Sequence, residues 1–409
     1  MKRDALFAVV VLTAMNLLNY IDRWVPSAVK VLFQQDLGLS DAQTSLPLTA
    51  FIFVYMAASP VFGMLADTGR RKVLIAIGVA VWSLATAAAA GAQGFYSLLA
   101  ARAAVGIGEA AYAVIAPSLL SDYYPPERRN RILTIFYVAT PVGSAIGFIL
   151  GGLLGTAYGW RAAFLICGLP GLLVAALALL IKEPPRGQFD VTPAAVPPPW
   201  SAALAQLRKN KVYVYTVAGY TAVSFASGGI ADWLVTFLVR DRGMDMSDAA
   251  TYTGAATSVG GIVGTILGGL IADRARRWTS QPYLATSALS IVPATILAIV
   301  ALYVLRDPMA IVVTILFCQV FLWMYNGPVN ALLVNAVDVG LRARAFGLAI
   351  FCIHAFGDAL SPALIGVVSD ATGRNLPLAL SLVPIALAIG AIVWTIGWRT
   401  LSQRITTEA

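Results

Sequence analysis

The sequence predicts an all-α membrane protein, with twelve transmembrane helices forming two six-helix bundles related by a pseudo-two-fold axis and both termini in the cytoplasm. Three observations predict it. Of the 409 residues, 59% are hydrophobic and only 12% are charged, against roughly 25% charged in ordinary soluble domains. The apolar residues gather in twelve runs, each long enough for the ~20 residues that a bilayer crossing takes. Finally, one loop recurs. Gly63-Met64-Leu65-Ala66-Asp67-Thr68-Gly69-Arg70-Arg71-Lys72 is echoed 206 residues later by Gly269-Leu270-Ile271-Ala272-Asp273-Arg274-Ala275-Arg276-Arg277. Both copies keep the glycine-to-aspartate spacing, end in paired arginines and lie between apolar runs. Two such loops at corresponding places of two hydrophobic halves mark an internal repeat.

In chain order, the runs place the first six helices at 5–29, 42–66, 72–92, 95–122, 129–157 and 161–181. The second six fall at 212–240, 248–272, 283–305, 309–337, 343–369 and 377–400. Residues 1–182 and 208–409 are therefore the two bundles, joined by a cytoplasmic Pro-rich linker at 183–207. Ser40-Asp41-Ala42-Gln43 reads as an N-cap with a capping-box glutamine opening helix two. In the linker, Pro184, Pro185, Pro193, Pro197, Pro198 and Pro199 leave little to bury and favour an extended chain. Trp200 to Leu207 suits a short helix on the cytoplasmic face. Gly143, Gly147, Gly151 and Gly155 line one face of helix five, and Gly260, Gly264 and Gly268 one face of helix eight. Small residues at that spacing let backbones approach closely, which serves either a moving interface or static packing.

Charge sets the orientation. If twelve helices alternate, five of the 28 Lys and Arg (Arg161, Arg240, Arg242, Arg306, Arg374) fall on one side and three (Arg23, Lys30, Arg102) lie in or at the ends of spans. The rest share the other side, which the positive-inside rule makes cytoplasmic. The net charge of +8 is thus topology rather than a nucleic-acid footprint. Cys167, Cys318 and Cys352 each sit in an apolar run without metal or disulfide spacing. The basic, apolar N-terminus imitates a signal peptide, but the apolar run continues through Asn16, Asn19 and Asp22, as a retained helix would. Nothing calls for a metal or cofactor. With one histidine and no nucleophile–base set, an enzyme is not expected.

Charge inside the hydrocarbon region costs a few kcal/mol per group, about 2.5–3.5 on insertion scales, so in-span ionisable residues are where function is sought. Helix one carries Asn19, Asp22 and Arg23; Asn19 shares a face with each of the other two. Helix four carries Arg102 and Glu109, two turns apart on one face, with Gly106 between them for backbone access. An Asp22–Arg102 pair would leave Glu109 as a buried carboxylate able to load and release a proton; a static ion pair is the alternative. Gly106-x-Gly108-x-x-Ala111 matches a loose dinucleotide fingerprint but follows no strand. Helix eleven holds the only histidine, His354, four residues before Asp358 and thus on its face, a titrating pair near neutral pH. Tyr112, Tyr137, Tyr325, Asn326 and Asn330 are candidates to line a cavity, and Asp232 lies near an outer end. Asp122 and Asp338, at matching ends of helices four and ten, read as cytoplasmic gate or cap residues together with Asp67, Arg70, Arg71, Asp273 and Arg274.

The repeated loop resembles the signature loop of major facilitator superfamily transporters, between helices two and three and again between eight and nine, although Thr68 stands where the family carries a base. Asn19-Tyr20-Ile21-Asp22-Arg23, Gly106-Ile107-Gly108-Glu109-Ala110 with Pro117-Ser118 and Asp122, and His354 to Pro362 with Gly366 and Asp370 are similar to the spinster-type branch. Its animal members move sphingosine phosphate or lysophospholipids. The resemblance implies a major facilitator fold and a proton-coupled transporter working by alternating access. Glu109, Asp22, His354 and Asp358 would couple protons, and Arg23 and Arg102, with Asn19 and the cavity residues, would meet an amphiphilic anion. The expected setting is the cell inner membrane, as a monomer in the lipid bilayer. The alternatives are a proton-coupled exporter of drugs or small organic anions on the same fold, and a non-transporting membrane sensor on a transporter scaffold.

Overall fold

The computed structural model describes residues 2–189, 199–338 and 341–407; residues 190–198 of the expected linker lie outside the described residues. Among the described residues, twelve helices are long and apolar enough to cross a membrane. Helices one to six are Arg3–Ala28, Asp41–Thr68, Arg71–Ala89, Phe95–Tyr123, Glu127–Tyr158 and Trp160–Ala178. Helices seven to twelve are Lys211–Arg242, Met246–Ala275, Pro282–Val304, Pro308–Leu333, Arg344–Ala371 and Leu376–Ser402. Each begins and ends within a few residues of the sequence expectation. Hydrocarbon offers the backbone no partners, so an apolar run must satisfy its own amides as a helix.

Helix ends follow local chemistry. The Ser40 capping box forms as expected: Ser40 Oγ accepts from the Gln43 N–H at 3.3 Å, and Gln43 Oε1 accepts from the Ser40 N–H at 3.0 Å. Asn210, Asp307 and Asn375 cap helices seven, ten and twelve by accepting from the amide three residues on. Gly243 ends helix seven at φ 68°, the left-handed region where a Cβ is disfavoured. Between helices one and two, the short helix Lys30–Leu37 is tied down by Lys30 Nζ to Ser45 Oγ at 2.9 Å and Gln34 Nε2 to Asp41 Oδ1 at 2.6 Å. On its exposed side Asp36 accepts from Arg161, a hydrogen bond that holds the Asp36 carboxyl below the usual carboxylate range.

The chain divides into two compact units. One holds helices one to six with residues 244–254; the other holds helix seven, helix eight from residue 255, and helices nine to twelve. The glycine faces are used inside these units. A Cβ on Gly143 would stand 2.6 Å from Leu17 O, and one on Gly147 2.7 Å from Ile21 O, because helix one lies directly on that face of helix five. Gly260, Gly264 and Gly268 receive Gln319, Val320 and Met324 of helix ten in the same way. Both stripes are closely packed faces in this structure.

Interruptions that the sequence reading did not place fall in several helices, among them helices ten and eleven. Helix ten breaks after Trp323 and resumes at Asn326. Helix eleven passes through a π-helical turn at His354–Asp358, where Gly357 leaves helical geometry; such turns recur at functional sites. The short helix after the linker spans Trp200–Lys209 and buries Ala203 and Leu207. It is held by Gln206 Nε2 to Asp338 Oδ2 at 3.0 Å and by the Arg344 guanidinium 4.9 Å from the Trp200 ring.

Candidate functional site

Within the first unit, helices one and four bring four charges together, Asp22 and Arg23 from the one and Arg102 and Glu109 from the other. Arg23 Nη2 donates to Glu109 Oε2 at 2.6 Å; the Glu109 side chain is fully buried and that of Arg23 is 21% exposed. Asp22 and Arg102 are each 1% exposed. The expected Asp22–Arg102 hydrogen-bonded pair does not form. Neither Asp22 oxygen and neither terminal Arg102 nitrogen has a hydrogen-bond partner among the described residues. Arg102 instead feels both Glu109 and Asp22 through space, and the Trp82 indole neighbours Asp22 without closing a hydrogen bond. The physical reason is rotational: Arg23 follows Asp22 by one residue, about 100° around the helix, and it is Arg23 that helix one presents to Glu109.

Aromatic rings hold the guanidiniums. The Arg23 Cζ lies 4.9 Å from the Tyr20 ring centroid, 5.0 Å from Phe51 and 5.7 Å from Tyr55, and the Arg102 Cζ lies 5.4 Å from the same Phe51. Each face-on contact offsets part of the desolvation of a cation, by about 0.5–2 kcal/mol. Phe51 and Tyr55 were missed by the sequence reading. Aromatic residues four apart on an apolar helix look lipid-facing, and no local signal marks them as a cation box.

Gly106 places that box, a role different from the backbone access expected of it. Its missing side chain lets helix four meet helix two so closely that a Cβ would stand 2.5 Å from Phe51 O and 3.0 Å from Tyr55 N. Both neighbours are backbone, so neither can yield by a rotamer change. Gly106→Ala is expected to cost about 1–3 kcal/mol of stability through overpacking. A thermal midpoint equal to wild type in detergent would show that the two helices part freely.

Several expected cavity residues are core instead. Tyr112 is 1% exposed, donates to Leu12 O at 2.6 Å and packs on Trp82 and Phe136. Tyr325 is 4% exposed, among Tyr220, Trp323 and Trp394. Asn326 and Asn330 are half-buried, and Asn330 Nδ2 donates to Asn326 O at 2.8 Å within the resumed part of helix ten. Arg102 and Asn19 are buried, whereas Tyr137 is 52% exposed. Asp232 and Trp233 are also buried.

In the second unit, His354 and Asp358 meet as their spacing predicted, with Nδ1 at 2.9 and 3.0 Å from the two carboxylate oxygens. The π turn carries the pair, and helix seven approaches it through Gly228, where a Cβ would stand 2.6 Å from Asp358 Cα. Tyr220 and Tyr325 lie within the field of Asp358. Tyr220 gave no signal in the sequence.

At the loop end of the first unit, Arg71 Nη1 donates to Asp122 Oδ2 at 2.5 Å, while Asp67 and Arg70 are exposed. Glu183, read as part of an extended linker, accepts the first amides of helix three: from Arg71 N at 3.2 Å and Lys72 N at 3.0 Å. Arg186 donates to Gly69 O at 2.6 Å, and Gly187 N to Asp122 Oδ1 at 3.0 Å. The start of the linker is thus docked rather than free, because orphan amides at a helix start recruit a carboxylate. In the repeat, Asp273 pairs with Arg276 at 3.4 Å and Arg274 is exposed; Asp338 is exposed and accepts from Gln206.

Twelve membrane-length helices among the described residues, a buried charge pair and a repeated Asp/Arg loop invite comparison with transporters. The sequence profile of the Major Facilitator Superfamily matches residues 12–362. The chain belongs to that superfamily and is an integral, multi-pass membrane transporter. Protein spinster homolog 1 of Rattus norvegicus is 35% identical over 390 residues, 90% of this chain and 74% of the relative. The Homo sapiens homolog is 35% identical over 398 residues, 92% of this chain and 75% of the relative. A bacterial homolog to the human lysosomal transporter spinster, in an inward-facing and unoccupied conformation, matches with a TM-score of 0.80. It is 23% identical, and the match covers 98% of this chain and 96% of that chain. Within the superfamily the protein is of spinster type.

Proposed function

We propose that this protein is a proton-coupled secondary active transporter of an amphiphilic anion, a lysophospholipid or sphingoid phosphate, working by alternating access. The observation that carries the reading is the Arg23–Glu109 pair, a fully buried carboxylate against a guanidinium that keeps some exposure. A proton on Glu109 weakens its hold on Arg23, and the freed guanidinium then suits a phosphate headgroup, which it can bind bidentately. Substrate and carboxylate compete for one cation, so loading of the substrate and protonation are linked. Asp22 and Arg102 sit in the same cluster and balance its charge, and His354 with Asp358 supplies a second proton-exchanging pair. The lipid class follows the spinster resemblance. The Asp/Arg loops with Asp122 and Asp338 would gate the cytoplasmic side, which the distribution of Lys and Arg assigns to both termini in a bacterial inner membrane. The bundles at 1–182 and 208–409 would rock about the linker of a monomer.

The test is flux in proteoliposomes with a labelled lysolipid or sphingoid phosphate, with and without a pH gradient. Gradient-driven lipid flux is expected. Proton movement evoked by small organic anions, without lipid flux, would replace the substrate class. Ligand binding without any flux would mean a sensor.

A further inference from the structure

The geometry points to a binding site for one anionic phospholipid of the bilayer on the second unit, where the loop after helix eight meets the end of helix twelve. That loop is pinned to helix twelve by aromatic and hydroxyl contacts. The Trp278 and Trp398 rings meet edge-on at 6.0 Å, Trp398 Nε1 donates to Thr279 Oγ1 at 2.9 Å, and the Thr279 and Ser402 hydroxyls lie 3.4 Å apart. Arg277 and Arg399, each next in sequence to one of the two indoles, are consequently held at one end of the unit. Both are exposed, and neither has an acidic partner among the described residues.

The charge there is unbalanced. Arg276 is already used: its guanidinium lies 5.5 Å from the Tyr283 ring, donates to that hydroxyl at 2.5 Å and reaches Asp273 at 3.4 Å. Asp273 is the one acidic side chain on the loop, against Arg274, Arg276 and Arg277. Two unpaired guanidiniums beside an indole that is 54% exposed make a seat for a phosphodiester, with the ring at the level of the glycerol.

What distinguishes a lipid from a soluble anion lies directly beyond the loop. Helices nine and twelve pack on each other, and both turn apolar side chains outward. Leu289 is 51% and Val292 45% exposed on helix nine, and Ile392 58% and Ile396 46% on helix twelve. A headgroup on Arg277 and Arg399 would lay its acyl chains along those two faces. A neutral phospholipid would use the apolar faces but leave both cations unmatched. The site does not depend on the transport reading, since it uses none of the charges around Glu109.

Native mass spectrometry of the full-length chain in mild detergent tests this, with added phosphatidylglycerol or phosphatidylcholine, each with and without inorganic phosphate. A phosphatidylglycerol adduct is expected that phosphatidylcholine does not give and millimolar inorganic phosphate does not displace. Each cation near an anionic lipid surface is worth about a fivefold factor in affinity, so R277Q/R399Q should bind ~thirtyfold more weakly. The charge-preserving R277K/R399K should keep the adduct, and so should R23Q/E109Q, which removes the Arg23–Glu109 pair without stranding a charge. Should R277Q/R399Q not elute as one species, each of its single variants carries its own fivefold loss. Equal retention of both lipids, an unchanged R277Q/R399Q adduct, its loss in R23Q/E109Q, or displacement by phosphate would each overturn the site.

Discussion

Replacing Glu109 with glutamine is expected to abolish pH-gradient-driven flux in proteoliposomes while the protein still folds. Glutamine keeps the volume and a hydrogen-bonding oxygen but has no titratable proton to load and release. The Arg23 cation it leaves behind retains 21% side-chain exposure and the rings of Tyr20, Phe51 and Tyr55. The reverse change is harsher. R23A strands Glu109, which has no exposure, and breaking a buried pair costs about 3–5 kcal/mol because a charge is left uncompensated. The double variant R23Q/E109Q removes both charges and should recover most of the R23A loss in thermal midpoint, but none of the transport. This non-additivity is what direct coupling requires. Gradient-driven flux that survives in E109Q would remove Glu109 as the coupling group; an R23A midpoint at the wild-type value would mean that the pair contributes nothing to the fold.

The second large effect is expected at the docked start of the linker. In D122A, Arg71 keeps a side chain only 4% exposed, with the longer contact to Glu183 at 3.9 Å and the hydrogen bond from Nη2 to Pro184 O at 3.4 Å. The loss should approach about 3 kcal/mol, read as a lowered midpoint and faster hydrogen exchange in the first turn of helix three. E183Q is predicted to be milder, about 1 kcal/mol, the usual worth of a helix cap, since an amide oxygen still accepts one of the two N–H groups. If E183Q proved the costlier of the two, Glu183 rather than Asp122 would be the residue that secures Arg71.

The candidate site was legible in the sequence only in part. His354 and Asp358 could be read, because four residues on one helix put two side chains within reach whatever the rest of the chain does. Asp22, Arg23, Arg102 and Glu109 could be singled out, because an ionisable group in an apolar run is too costly to be incidental. Their partners could not be read. Tyr112 and Tyr325 looked like polar lining and proved to be core; a tyrosine in a membrane helix gives no sign of which face its neighbours will cover.

By itself the sequence determined the number of helices, their ends, the internal repeat, the spinster resemblance and the set of in-membrane charges. These follow from desolvation cost and helical period, which act over a few residues. Only the tertiary structure decided that Arg23 holds Glu109 while Asp22 and Arg102 close no hydrogen bond, that Phe51 lies against both guanidiniums, and that Glu183 caps helix three. Each depends on how one helix is rotated and how closely it approaches another. Gly106, Gly143 and Gly147 set those approaches by what they lack, and a missing side chain does not name the helix that will fill its place.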